Sequence, residues 1–131
     1  MKPFQSKPIT FQPIGIVRNA FDEGTPRSDF KDSESKISLD PALTPGLDGL
    51  AIGQQIYVLF HLHRSEGYDL YQHPRGDQDR PKRGLFSLRT PRRPNPIGLS
   101  KVELVSIKGN QLTVRGLDAI HGTPVLDLKP A

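Results

Sequence analysis

Three arginines and an asparagine fall within seven residues of a proline-rich stretch, Arg89-Thr90-Pro91-Arg92-Arg93-Pro94-Asn95, with Pro96 directly after. Pro91, Pro94 and Pro96 each hold φ near one value and remove a backbone donor, so this stretch reads as a stiff, extended loop outside any sheet. Stiffness has a chemical use. A guanidinium held close to where it acts loses less entropy when an anion arrives. Arginine forks suit phosphate or carboxylate, and an asparagine amide pairs a donor with an acceptor, as an adenine edge requires. Just upstream, Leu85, Phe86 and Leu88 mix with Ser87 and Arg89, which predicts a short strand with one buried face leading into the loop.

Charge concentrates in the same place. Between Pro74 and Pro96 lie Arg75, Arg80, Lys82, Arg83, Arg89, Arg92 and Arg93 against Asp77 and Asp79, a net of +5, whereas the whole chain carries only +4. Everything else therefore sums to −1, and local basicity of this kind marks an anion-binding face more than general solubility. A merely solvated basic loop is the plainer alternative. Tyr68 and Tyr71 stand before the basic segment and offer bases a surface to stack on, although a tyrosine there serves equally well as a core anchor.

A second set of candidates is His61-x-His63, with His73 downstream. Period two would put the first pair on one face of a strand. A metal site is conceivable, but hydrogen-bonded histidines at a strand end are the preferred reading without cysteine or a nearby carboxylate pair, so no metal is assigned. Asp118, Asp127 and Lys129 bracket the last turn and could simply satisfy turn amides and one another.

Two ungapped stretches, Gly84-Leu-Phe-Ser-Leu-Arg-Thr-Pro-Arg-Arg-Pro-Asn-Pro-Ile-Gly-Leu-Ser100 and Asp118-Ala-Ile-His-Gly-Thr-Pro-Val-Leu-Asp-Leu-Lys-Pro130, resemble the TrmO (TsaA-like) family, and the likeness runs from Ile14 to the end. The resemblance implies a β-barrel that binds S-adenosylmethionine and methylates the exocyclic amine of threonylcarbamoyl-adenosine beside a tRNA anticodon. It further implies a homodimer with the site near the subunit interface. Carried over position by position, it puts the cofactor against Pro26, Arg27, Ser28, His63, Arg64, Arg89, Leu99, Asp118, Ala119, Ile120 and His121. Ser28 stands where the family has glutamine, and His121 where it often has aspartate. Arg92, Arg93 and Asn95 would face the substrate, and Asp118 is the candidate to accept the released proton. The residues alone reach only an anion-binding β-domain, because no Gly-rich strand-to-helix turn of the dinucleotide type is present. Other readings are a non-catalytic RNA-binding β-barrel and a methyltransferase of a small adenosine-like acceptor. Family members often continue past the Asp-x-Lys-Pro motif, whereas this chain ends at Ala131, which keeps the small acceptor in view.

The elements that must position these residues are short. Thirteen prolines and twelve glycines in 131 residues, with five alanines, leave little room for long helices. The class is mainly β: a single small β-barrel over residues 1–131, with long connecting loops and little helix. Ile9–Arg18 reads as a first strand with Pro13 at an edge or bulge, Asn19–Ser35 as a long polar connection, and Lys36–Asp40 as a short strand. Pro41–Gly53 holds two glycine-bounded turns and a helical turn, and Gln55–His63 is a central strand. Ser65–Arg83 is a polar loop. Lys101–Ile107 and Gln111–Arg115 form a hairpin over Lys108-Gly109-Asn110, with a bulge or two-faced burial expected from Val102, Leu104, Val105 and Ile107. Val125–Leu128 closes the sheet. The lack of cysteine excludes a disulfide framework, and no apolar run follows the lysines of Met1–Pro8, so a cytoplasmic protein without signal peptide or membrane span is expected.

Overall fold

The computed structural model describes residues 4–131, so the start of the Met1–Pro8 stretch lies outside the described residues. Six strands close into an antiparallel barrel: β1 (Gly15–Arg18), β2 (Glu34–Leu39), β3 (Gln55–His61), β6 (Ile97–Lys108), β7 (Gln111–Arg115) and β8 (Pro124–Pro130), in the spatial order β1-β2-β7-β6-β3-β8, with β8 returning to β1. A separate two-stranded ribbon pairs β4 (Tyr71–Gln72) with β5 (Arg83–Gly84). Among the described residues every helical segment is a 3₁₀ turn, as the proline and glycine content requires.

Alternate residues fill the barrel. Ile37 and Leu39 of β2, Ile56, Val58 and Phe60 of β3, Val102 and Leu104 of β6, Leu112 and Val114 of β7, and Val125 of β8 are all buried. Leu47, from the 3₁₀ segment Pro41–Leu47, and Leu117 and Ala119 join the same cluster. Two glycines permit close approach. A methyl at Gly15 would lie 2.6 Å from the Ser38 carbonyl oxygen, and one at Gly98 would run into the Phe60 ring. The β6–β7 hairpin turns at Gly109, whose φ is 59°, and the register slips between Leu104 and Ser106, so the parity change of the sequence is a bulge at Val105. Lys129 and Asp127 pair at 3.0 Å, satisfying one another.

Three sequence expectations are corrected. The first strand begins at Gly15 and not Ile9, and Ile9 and Phe11 are 77% and 62% exposed. Pro8 and Pro13 have no N–H to offer a neighbour, so the chain joins the ladder only where the Ile14 N–H donates to the Val125 carbonyl at 2.8 Å. Leu85–Ser87 is a 3₁₀ turn in place of a strand. The Ser87 hydroxyl donates to the Gly84 carbonyl and the Leu88 N–H to the Leu85 carbonyl, which bury Leu85 and leave Phe86 in solvent. The central strand stops at His61, where the His63 N–H donates back to the His61 carbonyl at 2.8 Å, so period two does not carry through to His63.

Strict antiparallel pairing has a positional consequence. Successive barrel strands run in opposite directions, so the connections β1–β2, β3–β6 and β7–β8 emerge at one end, while β2–β3 and the Gly109-Asn110 turn lie at the other.

Candidate active site

The three connections at the shared end carry the candidate side chains. Asn19–Ser33 holds Pro26, Arg27 and Ser28; the stretch 62–96 holds His63, Arg64, Arg89, Arg92, Arg93 and Asn95; the stretch 116–123 holds Asp118 to His121. They meet along β6, which has β3 on one side throughout Ile97–Glu103 but meets β7 only from Glu103 onward. The first half of β6 is thus an edge without a β7 partner. There an Arg89 Nη2 donates to the Leu99 carbonyl, and one residue on, the Ser100 hydroxyl accepts from the Asp118 N–H at 3.2 Å. Arg27 Nη2 reaches the Asp118 carboxylate at 2.6 Å, joining the first connection to the last.

Asn19 secures the last turn. Its Nδ2 donates to the Ala119 carbonyl at 2.9 Å and to the Ser35 hydroxyl at 3.0 Å, its Oδ1 accepts from the Phe21 N–H, and its own N–H donates to His121 Nδ1 at 3.2 Å. The His121 N–H in turn donates to the Phe21 carbonyl at 2.9 Å. The two main-chain N–H groups thus tie the first connection and the last turn to one another in both directions. Ala119 is buried, Ile120 half-buried and His121 exposed.

His63 and Arg64 flank the same end, with Arg64 Nε 3.6 Å from Glu23 of the first connection. Burial, and then the Arg64 guanidinium, push the His63 imidazole below its ordinary 6.5, opposed by its hydrogen bond to the His61 backbone and by Glu23. A neutral His63 offers an acceptor nitrogen. Among the described residues no three His, Asp or Glu side chains gather as a metal site would need.

The arginine loop is braced by side chains as well as prolines. Gln72 Nε2 donates to the Arg92 carbonyl at 2.9 Å and Gln72 Oε1 accepts from the Thr90 hydroxyl at 2.8 Å, while the Ser65 hydroxyl holds the Pro91 carbonyl. Arg93 Nη1 donates to the Leu88 and Thr90 carbonyls at 2.8 and 3.2 Å and its guanidinium lies 5.8 Å from the Phe86 ring. Arg93 therefore braces the loop from within. Arg92 pairs with Asp69 at 3.2 Å across the surface, and Asn95 is exposed, its carbonyl accepting from the Ile97 N–H.

A family model described as the tRNA-methyltransferase O N-terminal domain matches residues 16–131. The chain belongs to that family. It is 44% identical over 125 residues to a probable S-adenosyl-L-methionine-binding protein of Methanothermobacter thermautotrophicus, covering 93% of this chain and 89% of that one. It is 37% identical over 131 residues to a tRNA (adenine(37)-N6)-methyltransferase of Rattus norvegicus, covering 91% of this chain and 30% of that enzyme. The crystal structure of TrmO from Pseudomonas aeruginosa superposes with a TM-score of 0.75 at 30% identity over 95% of this chain. The present chain spans 56% of that solved one.

Within this TrmO-family barrel, Asn19, Ser100 and Gln72 are the positioning residues that sequence reading overlooked. Asn19 carries the one legible signal, a short amide directly after a strand and able to cap the loop that follows. Ser100 is a small polar residue with 7% of its surface exposed, and nothing in its type or spacing announces it.

Proposed function

We propose that this chain is an S-adenosylmethionine-dependent methyltransferase whose acceptor is the exocyclic amine of threonylcarbamoyl-adenosine in tRNA. It acts in the cytoplasm as a homodimer, with residues 1–131 as one domain and the site near the subunit interface. The observation that carries this reading is the convergence of Arg27, Arg89 and Asp118 from three connections onto Leu99 and Ser100 in the unpaired half of β6. The names of the relatives support the cofactor and the RNA substrate.

The donor set fits S-adenosylmethionine. Arg89 and Arg27 offer guanidinium forks to its carboxylate, Asp118 offers oxygens to ribose hydroxyls, and the turn at Ala119 and Ile120 supplies main-chain groups for the adenine. When bound, the cofactor supplies a methyl on an activated sulfonium. The protein then has mainly to align the acceptor nitrogen with the methyl–sulfur bond and keep water out. Transfer of that methyl would leave the acceptor nitrogen one proton to shed. Asp118, whose Oδ2 is held by Arg27, is the carboxylate we assign to take it through Oδ1, and water suffices after transfer. Arg92 and Asn95 present charge and an amide toward the threonylcarbamoyl carboxylate and the base, while Arg93 contributes by holding the loop that carries them.

The test incubates labelled methyl donor with bulk tRNA and with small adenosine derivatives and identifies the labelled nucleoside. Label in methylated threonylcarbamoyl-adenosine is expected. Label in the small derivatives alone would shift the acceptor class, and no label together with no calorimetric binding of the donor would reject the enzyme.

A further inference from the structure

The β4–β5 ribbon bears a surface that the cofactor site does not use. Between its strands and the following 3₁₀ turn lies a depression of about 330 Å³, lined by Leu70, Tyr71, Gly84, Leu85, Phe86 and Ser87. Its floor is Leu85, which is fully buried, and Tyr71 and Phe86 at its rim are 67% and 78% exposed. With Leu70 they make a contiguous exposed apolar patch, the kind of surface that marks an interaction site. The sequence places cations around them. Arg75, Arg80, Lys82, Arg83 and Arg89 have no carboxylate within ion-pair distance among the described residues, whereas Arg27, Arg64 and Arg92 each have one and Arg115 has two. Arg83 Nη2 donates to the Ser87 carbonyl, which holds its stem across the cleft, and the His73 ring bonds the Arg80 carbonyl and so closes the ribbon tip.

We infer that the Tyr71–Phe86 cleft is a stacking pocket for one unpaired nucleobase of the RNA substrate, with the ribbon cations following the adjoining phosphates. This deepens the proposed function and rests on it. Aromatic faces accept any base, and cations set beside them recognise the polyanion that joins the bases. A second copy of the chain is the competing occupant of so apolar a face. Charge favours the polyanion: the segment from Pro74 to Pro96 carries a net +5, which an RNA backbone neutralises.

Tyr71→Ala, Phe86→Ala and the double variant test this with a stem-loop RNA carrying 2-aminopurine in its unpaired loop. Both rings stand outside the barrel core, so truncation leaves the barrel in place; Phe86→Ala also removes the ring beneath the Arg93 guanidinium, whereas Tyr71→Ala leaves that contact intact and is the cleaner arm. Single variants are expected to bind the RNA about fivefold or more weakly, in keeping with base–aromatic stacking of roughly 1–3 kcal/mol per base. They should lose quenching of the loop fluorophore, keep the wild-type salt slope, and bind S-adenosylmethionine as the wild type does in calorimetry. Phe86→Trp should restore quenching. RNA affinity of the double variant within twofold of wild type overturns the pocket while leaving the methyltransferase standing. Conversion of a dimer to a monomer by these variants, seen in sedimentation, overturns it in favour of a self-association face. Absence of RNA binding by the wild-type protein overturns the pocket and the tRNA substrate together.

Discussion

Arg27 and Asp118 are 91 positions apart and meet at 2.6 Å, with side chains 69% and 42% exposed, so their pairing adds little to stability and its value lies in where it holds two groups of the candidate site. Arg89→Ala is expected to weaken S-adenosylmethionine binding several-fold in calorimetry with the melting temperature nearly unchanged. Asn19 is a different kind of residue. Asn19→Ala removes three side-chain hydrogen bonds and should cost about 1–3 kcal/mol in denaturant unfolding as well as cofactor affinity. Asn19→Asp, which turns a donor at the Ala119 carbonyl into an acceptor, should do no better, and recovery by Asp would refute the assigned geometry. His63 sets a pH effect with a definite sign. Its folded-state affinity for protons is lowered, so the unfolded chain binds more protons in the window below about 6.5, and stability falls as pH drops through it. His63→Gln should flatten the melting temperature across that window. Family resemblance made Arg27, Arg89 and Asp118 legible, but the residues alone could not show that they touch, since a contact between distant positions leaves no periodic trace.

At the scale of elements, the arginine loop and the barrel ladder fail in different ways. Arg93 spends its guanidinium on the Leu88 and Thr90 carbonyls, so Arg93→Lys, which keeps charge but loses the planar fork, should loosen the loop nearly as much as Arg93→Ala. Faster amide hydrogen exchange at Thr90–Asn95 would report it, and full rescue by lysine would mean that only charge matters. The ladder has no such tolerance where backbones crowd. Gly98→Ala would drive a methyl into the Phe60 ring and Gly15→Ala would drive one into the Ser38 carbonyl, each lowering stability by about 1–3 kcal/mol in urea unfolding. The hairpin, its bulge and the closing strand were legible because turn glycines and side-chain parity are local properties. The strand expected from Ile9 was misjudged because alternation shows which face is apolar, not whether a neighbour is present to accept the hydrogen bonds. Leu85–Ser87 failed similarly, since a serine closing a turn on the Gly84 carbonyl competes with a strand of identical composition.

For the whole molecule, barrel alternation explains why residues scattered from Pro26 to His121 converge: they occupy the first, third and fifth connections between six barrel strands, all of which open at one end. That rule was available from a strand count alone, once the sheet was taken as antiparallel, although the strand order was not. Localised basicity predicts that RNA affinity falls log-linearly with salt, with a slope of roughly −0.7 to −0.9 per phosphate contacted, and an affinity indifferent to salt would speak against the ribbon cations. Among the described residues no helix is long and apolar enough to cross a membrane. The end opposite the site carries the β2–β3 connection and the hairpin turn, where the exposed Lys108 leads into Gly109. Because the chain contains no cysteine, one thiol introduced at Lys108 would be uniquely reactive. A dye attached there rides at the far pole, where it can report tumbling and association with RNA while leaving the chemistry undisturbed.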